Sequence, residues 1–261
     1  MAIKTVLVVM SGVPGDMARL RAGFALAARA EAMVVALHVK PTPILYAGGG
    51  GMEMPVSLIE AQVQEIDRRA LSVEAEAKAL AEKAGAAVEW RCEEGEEVTI
   101  AGIHARYADL VVANPDLARD LVFDSAAPVL AFPDVAKPDA PRRVLVAWNG
   151  SREAARAVRD AMPLLKSAET VEVLVIDPPD GRPIGVDLGR FLGRHGIKVD
   201  IRERLSGGAA IGTLLLEEAR TSGAELLVMG AYGHSRLREW VLGGATEETL
   251  DDPTIPVLLS H

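Results

Sequence analysis

A chain of 261 residues, 49% of them hydrophobic, has the length for one large domain or two of ordinary size, each able to bury a core. A single cysteine, Cys92, excludes an intrachain disulfide and a multi-cysteine zinc site, and the net charge of −9 without a dense Lys/Arg stripe speaks against a nucleic-acid partner. No apolar run reaches the roughly 18 residues that span a membrane, so a soluble, cytoplasmic protein without membrane or metal is expected.

The first predicted element is the apolar run Thr5-Val6-Leu7-Val8-Val9-Met10, which reads as a strand because no small-residue cleavage site follows it. It runs into Ser11-Gly12-Val13-Pro14-Gly15-Asp16, which shares part of the Ser-Gly-Gly-x-Asp-Ser loop of ATP pyrophosphatases but lacks its second glycine and final residues. An Ala-rich amphipathic helix is expected over 17–31, then a strand over 34–39. Gly48 to Gly51 follow no strand signal and lack the Lys-Ser/Thr of a P-loop, so a flexible loop is expected there. A long helix over 57–84 leads to strands at 86–91 and 108–113. Asn114-Pro115-Asp116 then brings acid rather than glycine to the end of the fourth strand, and 127–132 completes a set of five. The proline-rich stretch 133–141 suits a linker.

From Arg143 the pattern starts again. Arg143-Val144-Leu145-Val146-Ala147-Trp148-Asn149-Gly150 echoes the opening strand and its polar-glycine end, and runs at 171–176, 196–201, 224–229 and 255–260 echo the other four. Helical patterns fall at 152–165 and 209–221. The chain therefore divides into two units, 1–138 and 139–261. Near-continuous apolar strands alternating with helices predict an α/β fold: two tandem doubly wound, mainly parallel five-stranded sheets with helices on both faces, Rossmann-like. Ligands of such sheets sit beyond the carboxyl ends of the strands, where strand order reverses. Ser11, Asn149 and the glycines after the fourth strand of the second unit, Gly230 and Gly233, are expected to face that crevice. Glycine permits positive φ and close backbone approach, so Gly230, Gly233, Gly243 and Gly244 form a candidate phosphate cradle.

These residues resemble the universal stress proteins in their tandem, two-domain form, with a fold like the adenine nucleotide alpha-hydrolases, over essentially the whole chain. The family's Gly-x2-Gly-x9-Gly-Ser/Thr motif is met by Gly230, Gly233 and Gly243, while Gly244 stands where a hydroxyl belongs and Ala245-Thr246 keeps the small residue followed by threonine. The resemblance implies that ATP or a related adenine nucleotide, with or without Mg2+, binds the second unit through Ala147, Trp148 and Asn149, the backbone at Val175, and Gly230, Gly233, Gly243, Gly244, Ala245 and Thr246. The family's strand-end Asp is replaced by Ser11 and Asn149. Arg236 reads either as a phosphate contact or as a solvated loop arginine. The first unit, without the glycines, is expected to be structural, giving an intramolecular pseudo-dimer with at most one nucleotide per chain, and a further homodimer through the final strands is a second expectation. The histidines show no metal-ligand spacing, and no nucleophile elbow is present. His234, inside the cradle, is a loop contact or the base of a weak Mg-dependent ATPase. The readings carried forward are a regulatory adenine-nucleotide binder, a nucleotide-free stress or scaffold protein acting through protein partners, and that weak ATPase.

Overall fold

The computed structural model describes residues 2–43, 46–47, 52–53, 55–178, 183–233 and 244–261. In the first unit the order is β1 (Thr5–Met10), α1 (Asp16–Ala30), β2 (Met33–Lys40), β3 (Tyr46–Ala47), β4 (Met52–Glu53), α2 (Val56–Ala84), β5 (Val88–Glu94), α3 (Glu97–Ala105), β6 (Leu110–Ala113), α4 (Pro115–Asp124) and β7 (Val129–Ala131). The second unit runs β8 (Arg143–Ala147), α5 (Arg152–Asp160), α6 (Met162–Ser167), β9 (Thr170–Ile176), α7 (Ile184–Arg194), β10 (Asp200–Arg204), α8 (Ile211–Ser222), β11 (Leu226–Gly230), α9 (Gly244–Asp251) and β12 (Val257–Ser260).

The expected pair of five-stranded parallel sheets is joined edge to edge into one ten-stranded sheet, ordered β10-β9-β8-β11-β12-β7-β6-β1-β2-β5. Each half repeats the order third, second, first, fourth, fifth, with all strands parallel. The seam is antiparallel, with Val257 opposite Ala131 and Leu259 opposite Val129. This corrects the expectation of a further dimer through the final strands: β12 already has β11 on one side and β7 on the other, so it offers no free edge.

The strands read as continuous apolar runs because both faces are covered. Val6, Val8 and Met10 point into a core layer shared with Leu20 of α1, Ala77 of α2, Val158 of α5 and Leu192 of α7. Leu7 and Val9 point the other way, toward Ala101 of α3, Leu121 of α4, Leu215 of α8 and Leu250 of α9. The helix expected over 152–165 divides at Ala161, since Pro163 in the first turn of α6 has no N–H and its ring clashes with the carbonyl four residues back. The four glycines at 48–51 lie outside the described residues, but they are flanked by the two-residue strands β3 and β4, against the expectation that no strand precedes them.

The linker is fastened to the first unit. Arg19, fully buried, donates to Asp134 at 2.6 Å and to Asp16 at 2.8 Å. Gly15 bends beneath it at φ 91°, where a Cβ would lie 1.8 Å from the Asp134 carboxylate, so only glycine fits. Among the described residues no helix is long and apolar enough to cross a membrane, and no group of three or more His, Cys, Asp or Glu is placed to hold a metal ion.

Candidate functional site

Strand order reverses at β1/β6 in the first unit and at β8/β11 in the second, and each reversal opens a crevice beyond the carboxyl ends of the strands. The second crevice holds a cavity of about 430 Å3. Its wall is apolar: Leu174 and Ile176 of β9, Ile211 and Leu215 of α8, Met229 of β11 and the Trp148 indole, whose Nε1 donates to the Ile184 carbonyl at 3.0 Å. Its rim is Ala147, Asn149 and Asp177, and its far end is Gly230, Tyr232, Gly233 and the first turn of α9, Gly244-Ala245-Thr246. A larger groove of about 1060 Å3 lies around the linker at the opposite ends of the strands, away from the switch points, where Arg142 and Arg143 are paired with Glu169 and Glu225.

Gly230 and Gly233 at the far end serve close approach and not positive φ. A Cβ on Gly230 would stand 2.4 Å from Ala154 N and 2.5 Å from Glu153 C, because the first turn of α5 packs directly on this backbone. A Cβ on Gly233 would stand 3.0 Å from Glu153 Oε2 and 3.3 Å from Ser151 Oγ. Neither glycine is left-handed; the residue that takes that conformation is Tyr232 between them, at φ 52°. Gly244 has room, its nearest neighbour from a built Cβ being Glu248 Oε1 at 3.6 Å.

Among the described residues, acidic side chains stand at this end. Glu153 is 7% exposed at the start of α5. Burial pushes its carboxyl up, but its own backbone N–H and the Arg152 guanidinium at 2.9 Å outweigh burial and hold it below the usual carboxylate range, so it is ionised. Glu248 accepts from Gly212 N at 2.9 Å, at the start of α8. On the rim, the Ser206 hydroxyl and then the Ser206 N–H, which donates at 2.8 Å, hold the Asp177 carboxyl low as well.

The first crevice differs in kind. Asn114 alone separates β6 from α4; its Oδ1 caps the helix by accepting from Leu117 N at 2.8 Å, and its Nδ2 donates to Ser11 Oγ at 3.1 Å. The loop after β1 is closed by its own acid, since Gly12 N donates to Asp16 Oδ2 at 2.7 Å. The open space of about 740 Å3 beyond is lined by carboxylates, among them Glu97, Asp116 and Asp120. Burial pushes the Glu97 carboxyl up, and Asp16 adds to this against an opposing hydrogen bond from Ser11.

Residues 141–261 match the sequence model of the universal stress protein family. That match makes the second unit similar to a universal stress protein domain and leaves the first unit outside it. Over its full length the chain shares the fold of a universal stress protein from Archaeoglobus fulgidus, at 17% identity, 98% of this chain, 95% of that chain and a TM-score of 0.74. A functionally unknown protein from Pseudomonas aeruginosa is similar at 16% identity, 99% and 92% coverage and a TM-score of 0.57. A universal stress protein solved in complex with cAMP aligns with 47% of this chain and 99% of its own, at 22% identity and a TM-score of 0.36. No curated protein matches the sequence.

Of the residues that resemblance to universal stress proteins singles out, Ala147, Trp148, Asn149, Gly230, Gly233, Gly244, Ala245 and Thr246 border the one cavity. The Val175 side chain does not: it is fully buried in the core layer on the other face, and its neighbours Leu174 and Ile176 form the wall instead. Gly243, His234 and Arg236 lie outside the described residues. Asn149 is exposed, and its Oδ1 is engaged in accepting from Ser151 N at 3.0 Å. Thr246 is buried, its hydroxyl accepting from Tyr232 N at 3.3 Å. Sequence reasoning missed Asp177, Tyr232 and Glu153. Asp177 was findable as the acid that closes β9 beside the switch point; Tyr232 and Glu153 carry no signal in the sequence.

Proposed function

We propose that the cavity beyond β8 and β11 binds an adenine nucleotide, ATP or a close relative, as a regulatory ligand in a stress response. The observation that carries this reading is one continuous slot of about 430 Å3 with an apolar wall at one end and two backbone turns at the other. That volume falls within the roughly 300–1,000 Å3 of small-molecule sites. The wall formed by Leu174, Ile176, Ile211 and Leu215 suits the faces of a purine. At the other end the first N–H groups of α9, on Gly244, Ala245 and Thr246, have no acceptor within their own helix and carry the positive end of its dipole, which suits phosphate oxygens. The missing hydroxyl at Gly244 removes a hydrogen bond to a charged oxygen of about 1.5–3 kcal/mol, an affinity loss of roughly ten- to a hundredfold. Ligand binding would alter the surface offered to protein partners.

A second reading, a nucleotide-free stress or scaffold protein, is favoured by the ionised Glu153 and by Glu248, which stand beside the glycines where phosphate charge would lie. The weak ATPase would use His234 or a bound Mg2+, and any hydrolysis is expected to be slow. The deciding experiment is calorimetric titration of the nucleotide-stripped protein with Mg-ATP, beside a Gly233→Val variant whose folding is checked by circular dichroism. Micromolar binding at one site per chain, abolished in the variant, supports the nucleotide reading. Absence of binding in the wild-type protein transfers the function to protein partners.

A further inference from the structure

The first unit has no glycine cradle of its own, yet it reaches into that of the second. Helix α4 carries a single cation, Arg119, whose guanidinium pairs with Glu247 and, at 3.1 Å, with Asp251, one turn apart on α9. Glu247 also accepts from the Tyr232 hydroxyl at 2.5 Å. One turn further along α4, the Phe123 ring lies 4.5 Å from the Tyr232 ring and meets His261 edge-on at 5.0 Å. His261 Nδ1 in turn donates to the Ala231 carbonyl at 3.1 Å. These contacts converge on Tyr232, the left-handed residue between Gly230 and Gly233, a conformation that a non-glycine residue keeps only where its surroundings hold it.

We propose that Arg119 and Phe123 of the first unit are positioning residues for the ligand site of the second, holding Tyr232, and through it the Gly230–Gly233 turn and the start of α9, in ligand-ready form. Cohesion of the two halves does not require this contact, since the β7–β12 seam already joins them through buried apolar strands. The Arg119–Glu247 pair is 24% and 29% exposed, so it is partly shielded from water and stronger than a fully solvated pair. It leaves α4 and ends on the two segments that border the cavity, the turn after β11 and the first turn of α9. The ligand part of the inference rests on the adenine-nucleotide reading above; the mechanical part does not.

The test combines hydrogen exchange with Mg-ATP calorimetry on the full chain, comparing wild type with Arg119→Ala, Arg119→Lys and Phe123→Ala. Arg143→Ala, which breaks the pair with Glu225 at the other end of the sheet, is the control. In Arg119→Ala and Phe123→Ala, amide exchange over 231–233 and 244–251 is expected to rise about tenfold while β8 and β9 stay protected, and Mg-ATP to bind about tenfold more weakly. Lysine at 119 recovers part of both effects, and Arg143→Ala shows neither. Unchanged exchange over those segments in both variants, or a rise spread evenly over the chain, overturns the inference even if Mg-ATP binds. A wild-type protein that fails to bind Mg-ATP while local exchange rises in the variants keeps the positioning role and rejects the nucleotide reading alone.

Discussion

The two crevices of this chain share strand order, sheet and helix layers, and they end in opposite ways. In the second unit β11 releases the chain for residues 231–243 before α9 begins, and the backbone on either side borders an apolar slot. In the first, α4 starts one residue after β6, and the carboxylate of Asp16 fills the turn after β1, where an incoming anion would sit. The scaffold repeats, while the open slot is set by one connection and by which side chains already satisfy its N–H groups.

The most disruptive way to probe the contrast is at the closed crevice. Arg19→Met leaves Asp16 buried without its cation, and the unfolding free energy in guanidinium is expected to fall by about 3–5 kcal/mol with the second cavity unaffected; a loss below about 1 kcal/mol would show that the buried pair does not hold the first crevice shut. At the open one, Gly230→Val drives a side chain into the first turn of α5. A stability loss of about 1–3 kcal/mol is expected, together with loss of Mg-ATP binding by calorimetry. Gly244→Ser sharpens the comparison in the other direction: Gly244 is not left-handed and has space, so the restored hydroxyl is expected to tighten Mg-ATP at least about tenfold. Unchanged affinity would mean that no phosphate oxygen lies there.

The smallest effect is a pH dependence at the first crevice. The Glu97 carboxyl is raised in the folded state by burial and by Asp16, so the folded protein binds its proton more readily than the unfolded chain. This group therefore lowers stability above its folded pKa. The penalty is relieved as pH falls through that value and is gone below the unfolded one. Glu97→Gln is accordingly expected to raise the unfolding free energy in guanidinium at neutral pH by less than about 1 kcal/mol, with the difference vanishing in acid.

The repeat and the layer architecture were legible because buried parallel strands must be apolar throughout, as in Val6 to Met10 and Val144 to Val146. That same uniformity hid which face each residue takes. In β9 nothing in the run Thr170 to Ile176 distinguishes Val175, which enters the core, from Leu174 and Ile176, which line the cavity. Joining of the two sheets was not legible either, since the pairing of β7 with β12 depends on which edges each unit leaves open and not on periodicity. The glycines were found with only part of their reason: close approach holds, but at Gly230 it is to α5, distant in sequence, and the left-handed residue is the tyrosine beside it. Arg119 sat unnoticed in an acidic stretch because its partners, Glu247 and Asp251, belong to the other unit.

The antiparallel seam also bears on how the protein is made. Ala131 pairs with Val257, so β7 leaves the ribosome with its final neighbour still unsynthesised, and at about 5–20 residues per second the wait is roughly 6–25 s. Throughout that interval a short, fully apolar strand stands at the margin of a completed half, able to accept β12 from a neighbouring nascent chain as readily as its own. Crowded translation on one messenger should therefore favour strand-swapped pairs, and slowing synthesis between the two units should increase them.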